Sequence, residues 1–475
     1  MPIGKHPSHG PTTMADHPGP SNGLRDALAV TGLFQSIFRR DLAGFYPRAR
    51  LGPGRPTEGG PRPEAGPGFR LEVGPDGETT VDLFGVRHPI HPKDGRNFSE
   101  HDHLLIQALG TVLSLRYHHL FQLNHTSRLE LYRGGSEDHY VAAFIEPWTY
   151  TPAAPRPSRI ASTIHTLRTA ALSTYENRRV STGVLLLGEG EGPPHPSPRD
   201  ALAYGVELTA LKSIHRLCDG KRTLFLVDRE GQLVEVIDIA EWAGEPAEAE
   251  RPEVPCARDY AAHARATRSG GHVCLVLSPN QEIKLFSGGT QQFAFAHGRW
   301  RILDPATKYA SWASAVAEPR LARSLFQAAL DLVECRQGGL FVVVDDAESA
   351  AGRLISPSDL LDSDQDEPDL ELNPGHPLAK RSLHYLVRGR TVMDLAPAVL
   401  EALAGLDGAT ATDRTGRLLC FGAILRHDAS ASFGPAAEGA RTTAALIASR
   451  FGPVLKISED GIVSCFLGGA RVWDL

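Results

Sequence analysis

The sequence predicts a multidomain α/β protein in which α+β modules precede a C-terminal mixed β-sheet flanked by helices. Its 475 residues correspond to two to four domains at about 100–200 residues each. Helical apolar spacing and strand-like alternation follow one another along the chain. Residues 340–346 are a predicted strand after a one-sided apolar helix, and their continuous apolar run at residues 340–344 is expected for a strand buried on both faces.

The composition limits the class of protein. Hydrophobic residues make up 41% and charged residues 22% of the chain, which permits a packed core over most of its length. The formal net charge of -7 gives no electrostatic reason to expect nucleic acid or a membrane as partner. The six cysteines form no CxxC pair, and the sequence has neither a signal peptide nor an apolar run of about 18 residues. We therefore expect a soluble cytoplasmic protein with free thiols.

Residues 24–150 are predicted to form an N-terminal α+β module. Residues 1–22 are rich in Pro, Gly, His and Ser and are expected to be a disordered tail. Residues 24–45 have helical spacing, and residues 51–68 form a Pro/Gly linker. Residues 69–86 alternate around a Pro-Asp-Gly turn and are predicted to be a hairpin.

A long helix continues this module. Ser99 is its predicted N-cap, with Asp102 as the capping partner three residues later. His101 and His103 flank this aspartate, and a His-Asp pair also occurs in metal phosphohydrolases, so a metal site here is a weaker hypothesis. Residues 129–145 alternate around a Gly-Gly pair and are predicted to form two strands.

Residues 157–317 are predicted to form a middle α/β, sensor-like module. Its predicted helices are residues 161–179 and 200–218, and its predicted strands are residues 180–188, 224–228 and 233–238, followed by a meander of up to four strands over residues 273–303.

The last predicted module covers residues 318–475. It opens with a helix at residues 319–337, for which Gly338 and Gly339 are the predicted C-cap. Residues 359–377 are acidic and are expected to be a solvated loop. From residue 406 onwards the predicted order is turn, strand, turn, strand, helix, strand, turn, strand.

Two segments resemble each other within the chain. Residues 273–289 and 454–469 share an apolar strand, a serine, a polar turn, a second strand and a Gly-Gly pair. Any tight hairpin could give this pattern. The alternative is that the middle module is a distant relative of the last one.

The first candidate site is Asp407-Gly408-Ala409, between a helix and a strand. An exposed aspartate beside phosphates is a natural ligand for Mg²⁺ or Mn²⁺. The small residues after it would let a flat ligand approach the backbone. An ordinary turn would also use Asp and Gly here.

The second candidate site is the helix start formed by Gly439 and Arg441-Thr442-Thr443. A helix N-terminus attracts anions, and an arginine with two hydroxyl groups adds donors for phosphate. The alternative is ordinary capping, with Thr442 or Thr443 as the cap. The third candidate is the turn at Ser458-Glu459, which could also be a plain hairpin turn.

In this order, the motifs resemble the DisA-type diadenylate cyclase domain over residues 318–469. That family has an Asp-Gly-Ala motif, then a Gly-Thr-Arg-His-Arg motif that opens an Ala-rich helix, and then a strand that ends in Ser-Glu-Glu-(Thr)-Gly. The matching residues are Asp407, Gly408, Ala409, Gly439, Arg441, Ser458, Glu459 and Gly461. The chain departs from the family at Leu406, where a histidine is usual, and at Thr442-Thr443, where His-Arg is usual. Arg426 and His427 are candidates to supply the lost charge.

The resemblance implies a function for each matched residue. Asp407 and Arg441 would be catalytic, with Asp407 holding Mg²⁺ or Mn²⁺. The nucleotide-binding set would be Gly408, Ala409, Gly439, Thr442, Thr443, Ser458 and Glu459. Two such domains, each holding one ATP, would face each other in a homo-oligomer and form cyclic di-AMP under control of the N-terminal sensor-like modules. The alternative is a nucleotide-binding module that has lost cyclase activity.

Overall fold

The computed structural model describes most of the chain, and its α/β multidomain class is the one predicted. The described residues are 20–47, 49–57, 68–92, 97–121, 129–151, 158–188, 200–211, 213–245, 254–361, 380–426 and 439–475. Most of the predicted tail and of the acidic loop, residues 1–19 and 362–379, lies outside them. The chain divides into two compact units, Met1–Ala161 and Ser162–Leu475. The predicted middle and last modules thus lie within one unit, and their mutual boundary remains a prediction.

The first unit combines helices with one antiparallel sheet. Its elements are α1 (Pro20–Phe45), β1 (Arg50–Leu51), β2 (Arg55–Pro56), β3 (Phe69–Val73), β4 (Thr79–Leu83), β5 (Val86–His91), α2 (Glu100–Phe121) and α3 (Ser136–Ile145). The sheet order is β1-β5-β4-β3, with β2 also paired to β5. The predicted hairpin is confirmed as β3–β4. The predicted linker is wrong at its start, because β1 and β2 both pair with β5.

The capping box at α2 is confirmed, because the Ser99 amide donates to the Asp102 carboxylate and the Asp102 amide donates to the Ser99 hydroxyl. The two strands predicted at residues 129–145 are wrong. This segment forms a 3-10 turn and then α3. The buried Arg116 side chain donates to the carbonyl of Leu131 in the 3-10 turn, and the Asp138 carboxylate accepts from the amide that precedes α3. Side-chain bonds to the backbone thus favour helical turns here.

The second unit contains two large sheets, one two-stranded sheet and several helices. Its elements are α4 (Arg159–Ala171, which begins in the first unit), β6 (Thr174–Tyr175), β7 (Arg178–Arg179), β8 (Thr182–Leu186), α5 (Ile214–Leu217), β9 (Thr223–Val227), β10 (Leu233–Asp238), α6 (Ile239–Ala243), α7 (Ala261–Ala266), β11 (Val273–Leu277), β12 (Ile283–Ser287), β13 (Thr290–Ala296), β14 (Arg299–Ile302), α8 (Pro305–Val316), α9 (Pro319–Glu334), β15 (Gly339–Val344), α10 (Ala347–Ala350), α11 (Pro397–Ala404), β16 (Ala409–Asp413), β17 (Leu418–Ala423), α12 (Ala440–Ala448), β18 (Val454–Ser458), β19 (Ile462–Leu467) and β20 (Ala470–Asp474).

The middle sheet has the order β10-β9-β8-β11-β12-β13-β14, and the predicted meander is confirmed as β11–β14. The helix predicted at residues 200–218 is mostly wrong. Residues 202 and 204 instead form backbone hydrogen bonds with the β9–β10 hairpin, at Leu233 and Gly231. Only the short α5 and a 3-10 segment remain helical.

The C-terminal sheet has the order β17-β16-β15-β18-β19-β20. Every residue of β15 is buried, as the apolar run predicted. The apolar face of α9 packs beneath this sheet in the main core, which includes Leu325, Leu332, Phe341 and Ile457. The order of strands and helix predicted after residue 406 is confirmed, and β20 extends it.

The two large sheets of the second unit share six strands with the same topology. In each, a central strand (β8 or β15) has a parallel neighbour (β9 or β16) on one side. On its other side lies an antiparallel strand (β11 or β18) that continues into two more antiparallel strands, β12 and β13 or β19 and β20. The middle sheet has one further strand, β14, without a counterpart in the C-terminal sheet. The outer neighbour of the parallel strand is also antiparallel in both sheets. The structure therefore favours the interpretation that the middle module is a second copy of the C-terminal fold.

Local details repeat as well. The Asp228 carboxylate accepts from the amides two and four residues later, at 2.9 and 2.8 Å, and Asp413 does the same at 2.9 and 3.0 Å. The Thr267 hydroxyl accepts from the second glycine of the middle Gly-Gly pair, and the Ser449 hydroxyl accepts from its C-terminal counterpart. The Gly-Gly pairs of the two sheets have matching positive φ angles. Each sheet also has a register shift at the corresponding position. We call the part that contains β8–β14 the middle repeat and the part that contains β15–β20 the C-terminal repeat.

In the described residues, no helix is both long and apolar enough to cross a membrane.

Candidate functional site

Three of the predicted polar groups meet on one surface of the C-terminal repeat. The Arg441 guanidinium lies 3.2 Å from a carboxylate oxygen of Glu459 and 3.8 Å from one of Asp407. The Asp407 side chain is 95% exposed, that of Glu459 69% and that of Arg441 36%. These residues come from three separate segments, and all three side chains are accessible to a ligand. We call them the charged cluster.

Backbone packing fixes the Asp407 segment between α11 and β16. Gly408 has φ +116°, and a Cβ atom there would lie 2.5 Å from the backbone of Gly422 on β17. Glycine is therefore required for this close approach and for the backbone conformation. Ala409 is the first residue of β16 and is buried, so its side chain belongs to the core.

The helix start places Arg441 differently from its neighbours. Gly439 is the N-cap of α12, with φ 82°, so neither predicted threonine serves as the cap. The Thr443 hydroxyl donates to the Gly439 carbonyl oxygen. Thr442 is buried, and its hydroxyl group has no hydrogen-bond partner among the described residues. Arg441 is thus the side chain of this motif that reaches the cluster.

The third motif is a tight turn between β18 and β19. The Ser458 carbonyl accepts from the amide of Gly461, which has φ 81°. The Ser458 hydroxyl accepts from the Asp460 amide at 3.4 Å, so it stabilises the turn. This turn presents the Glu459 carboxylate to Arg441.

Sequence reasoning missed two residues at the site. Gly338, predicted as a helix C-cap, lies beneath Arg441, and a Cβ atom there would be 2.1 Å from the guanidinium. Lys380 donates to the Gly422 carbonyl and to Asp359, next to the Asp407 segment. Neither contact has a sequence signal, because the partners lie 103 and 42 positions apart.

The charges of the cluster suit a cation accompanied by an anion. Two carboxylates flank one guanidinium, so the cluster carries net negative charge. Nucleotide-bound Mg²⁺ typically uses one or two protein carboxylates and takes its other ligands from phosphate and water. Asp407 fits that requirement. Among the described residues, no group of three or more His, Cys, Asp or Glu side chains could hold a metal on its own.

The other predicted features have structural contacts. Arg426 donates to the Gly352 carbonyl, and His427 lies outside the described residues. On the histidine-rich helix α2, Asp102 caps the helix and His103 hydrogen-bonds Thr79. These contacts leave the phosphohydrolase hypothesis without a metal-ligand set in the described part of the chain.

No family model and no curated protein matches this chain. Positions of the two repeats can be matched by counting from three pairs of corresponding residues, which are Asp228 and Asp413, Thr267 and Ser449, and Ser278 and Ser458. Arg222, Asp259 and Pro279 of the middle repeat then take the places of Asp407, Arg441 and Glu459. Of the two repeats, the C-terminal one alone carries the cluster.

Proposed function

We propose that the chain is a diadenylate cyclase-like protein that condenses two ATP molecules into cyclic di-AMP. The observation that supports this most is the convergence of Asp407, Arg441 and Glu459 on one exposed surface. A triphosphate with a divalent cation would meet a carboxylate for the metal and a guanidinium for phosphate oxygens. The residue order also resembles the motif order of the cyclase family.

The reaction sets geometric demands. Each ribose 3′-hydroxyl attacks the α-phosphorus of the other ATP and loses its proton to solvent. One P–O bond forms, the bond from the α-phosphorus to the oxygen that bridges to the β-phosphorus breaks, and pyrophosphate leaves, twice per product. Bound Mg²⁺ or Mn²⁺ supplies charge neutralisation at the phosphates. In this proposal Asp407 would hold the metal ion and Arg441 would bind phosphate oxygens on the same surface, so catalysis is mainly positioning. Because one chain has one charged cluster among its described repeats, the proposal requires a homo-oligomer in which two clusters face each other.

The proposed setting is the cytoplasm, with residues 24–317 acting as a sensor-like, regulatory part. All six cysteines are free thiols, which is typical of a reducing compartment. At the positions matched to the cluster the middle repeat has Arg222, Asp259 and Pro279, so a regulatory role rather than a second catalytic site is proposed for it.

Purified full-length protein incubated with ATP and Mn²⁺ tests the proposal, with product measured by mass spectrometry. Wild type is expected to form cyclic di-AMP, and Asp407→Asn to reduce the rate at least about 100-fold, by analogy with loss of a single charge-stabilising group. Glu348→Gln on α10 is the matched control, because it removes another exposed carboxylate of the same unit. Equal rates for Asp407→Asn and wild type would contradict the proposed role.

A second candidate is a nucleotide-binding module without cyclase activity. Thr442 and Thr443 favour it, since they stand where the family motif has His and Arg, and the Thr442 hydroxyl is buried without a hydrogen-bond partner among the described residues. Arg441 is then the sole cation contributed by this motif. ATP binding that depends on Asp407, with no product over a range of metals and protein concentrations, would select this candidate.

A further inference from the structure

The end of helix α9 carries an unusual residue. Arg336 has φ 55°, a left-handed conformation that favours glycine. Its amide donates to the Val333 carbonyl, and the Gln337 amide donates to the Leu332 carbonyl, which is the Schellman arrangement. Arginine in this position costs about 1 kcal/mol relative to glycine, a cost that contacts of its side chain can offset.

Those contacts join the two repeats. The Arg336 guanidinium lies 2.5 Å from Glu282 of the middle repeat. It also donates to the Glu459 carbonyl in the site turn at 3.4 Å. The same group lies against Gly461, where a Cβ atom would be 2.9 Å from it. Arg301 of the middle repeat donates to the Gly461 carbonyl at 3.2 Å. Two arginines therefore hold the backbone of the turn that presents Glu459.

The turn between β11 and β12 of the middle repeat corresponds to the Glu459 turn, and it contacts the end of α9. The Asn280 side chain donates to the carbonyl of Glu334, the last residue of α9. Lys284 is buried between the carboxylates of Glu282, at 3.3 Å, and Glu334, at 2.7 Å. Arg336 thus lies between a turn of the middle repeat and the corresponding turn of the C-terminal repeat.

We propose that Arg336 is a positioning residue, through which the middle repeat fixes the Glu459 turn of the charged cluster. The sequence of contacts is Glu282 to Arg336, Arg336 to the Glu459 backbone, and the Glu459 carboxylate to Arg441. The effect on ligand binding rests on the proposed function, whereas the positioning of the turn does not.

Hydrogen exchange on the full-length protein tests the positioning directly. Arg336→Gly removes the side chain and relieves the backbone, so the fold is retained. We expect the amide of Gly461 to exchange at least about fivefold faster, because a charge-assisted contact is lost. Ala317→Gly is the matched control, since Ala317 ends α8 with φ 64° and donates within its own helix. Glu282→Gln is expected to accelerate exchange in the same turn.

An exchange rate for the Gly461 amide within about twofold of wild type in Arg336→Gly would overturn the proposal. If wild type binds ATP with Mn²⁺, Arg336→Gly is expected to weaken that binding about fivefold, and Arg336→Lys to restore part of it. Faster exchange with unchanged ATP binding would contradict the link from the turn to the ligand. If wild type binds no ATP, the proposed function fails. The exchange result still decides whether Arg336 positions the Glu459 turn.

Discussion

Substitution of Gly338 by alanine tests whether the placement of Arg441 matters. The new Cβ atom would lie 2.1 Å from one guanidinium nitrogen and 2.8 Å from its carbon. Ordinary contact begins near 3.4 Å, so the guanidinium must move by about 1.3 Å. That movement breaks its 3.2 Å contact with Glu459. Gly338 is not among the residues with positive φ, so the backbone accepts alanine.

The expected result separates ligand affinity from stability. The free energy of unfolding should change by less than about 1 kcal/mol, because the group that moves is the end of a flexible side chain. Affinity for a non-hydrolysable ATP analogue with Mn²⁺ should fall about tenfold or more, since a charge-assisted hydrogen bond is worth about 1.5–3 kcal/mol. Isothermal titration calorimetry measures the affinity, and denaturant titration measures the stability.

A double-mutant cycle completes this test. If Gly338→Ala acts only through Arg441, then Gly338→Ala combined with Arg441→Gln should bind no more weakly than Arg441→Gln alone. Affinity of Gly338→Ala equal to that of wild type, with Arg441→Gln weakened, would refute the argument from guanidinium position. Fully additive effects would show that Gly338 acts by another route.

Two further predictions concern stability, both measured by native-state hydrogen exchange in β11 and β12. Lys284→Met leaves the carboxylates of Glu282 and Glu334 buried without their lysine and should lower the free energy of unfolding by about 3–5 kcal/mol. Most of this loss should be recovered when Glu334 is also changed to leucine. A loss below about 1 kcal/mol would contradict the prediction. Burial lowers the pKa of His263 to about 4, so the protonated form favours unfolding and stability falls as pH drops from about 6.5 to 4, by about 3 kcal/mol for this residue. His263→Gln should remove that part of the pH dependence, and an unchanged slope would contradict the assignment.

Local signals in the sequence predicted most of the C-terminal repeat. Residues close in the sequence determine its alternation of strands and turns. Gly408, Gly439 and Gly461 stand where the backbone needs a positive φ. The order of motifs also placed Asp407 and Arg441 on one domain. Their separation of 3.8 Å could not be predicted from the sequence, because it depends on the pairing of β15 with both β16 and β18.

The errors arose where distant partners decide the local structure. The segment at residues 129–145 alternates like strands, yet the Arg116 side chain and an aspartate cap favour helical turns. The predicted cap at Gly338 and Gly339 was wrong because Arg336 takes the left-handed position. Glu282 stabilises that arginine from 54 positions away, a contact without a local pattern. The repeat likewise became clear from strand order rather than from residue identity.

The central claim is that Asp407, Arg441 and Glu459 form one site for a metal-bound triphosphate. Crystals grown with Mn²⁺ and a non-hydrolysable ATP analogue test it through the anomalous signal of manganese. The account predicts a manganese peak within about 2.5 Å of an Asp407 carboxylate oxygen, with the triphosphate against the Arg441 guanidinium. An ordered nucleotide elsewhere on the protein, with no manganese at Asp407, would contradict it.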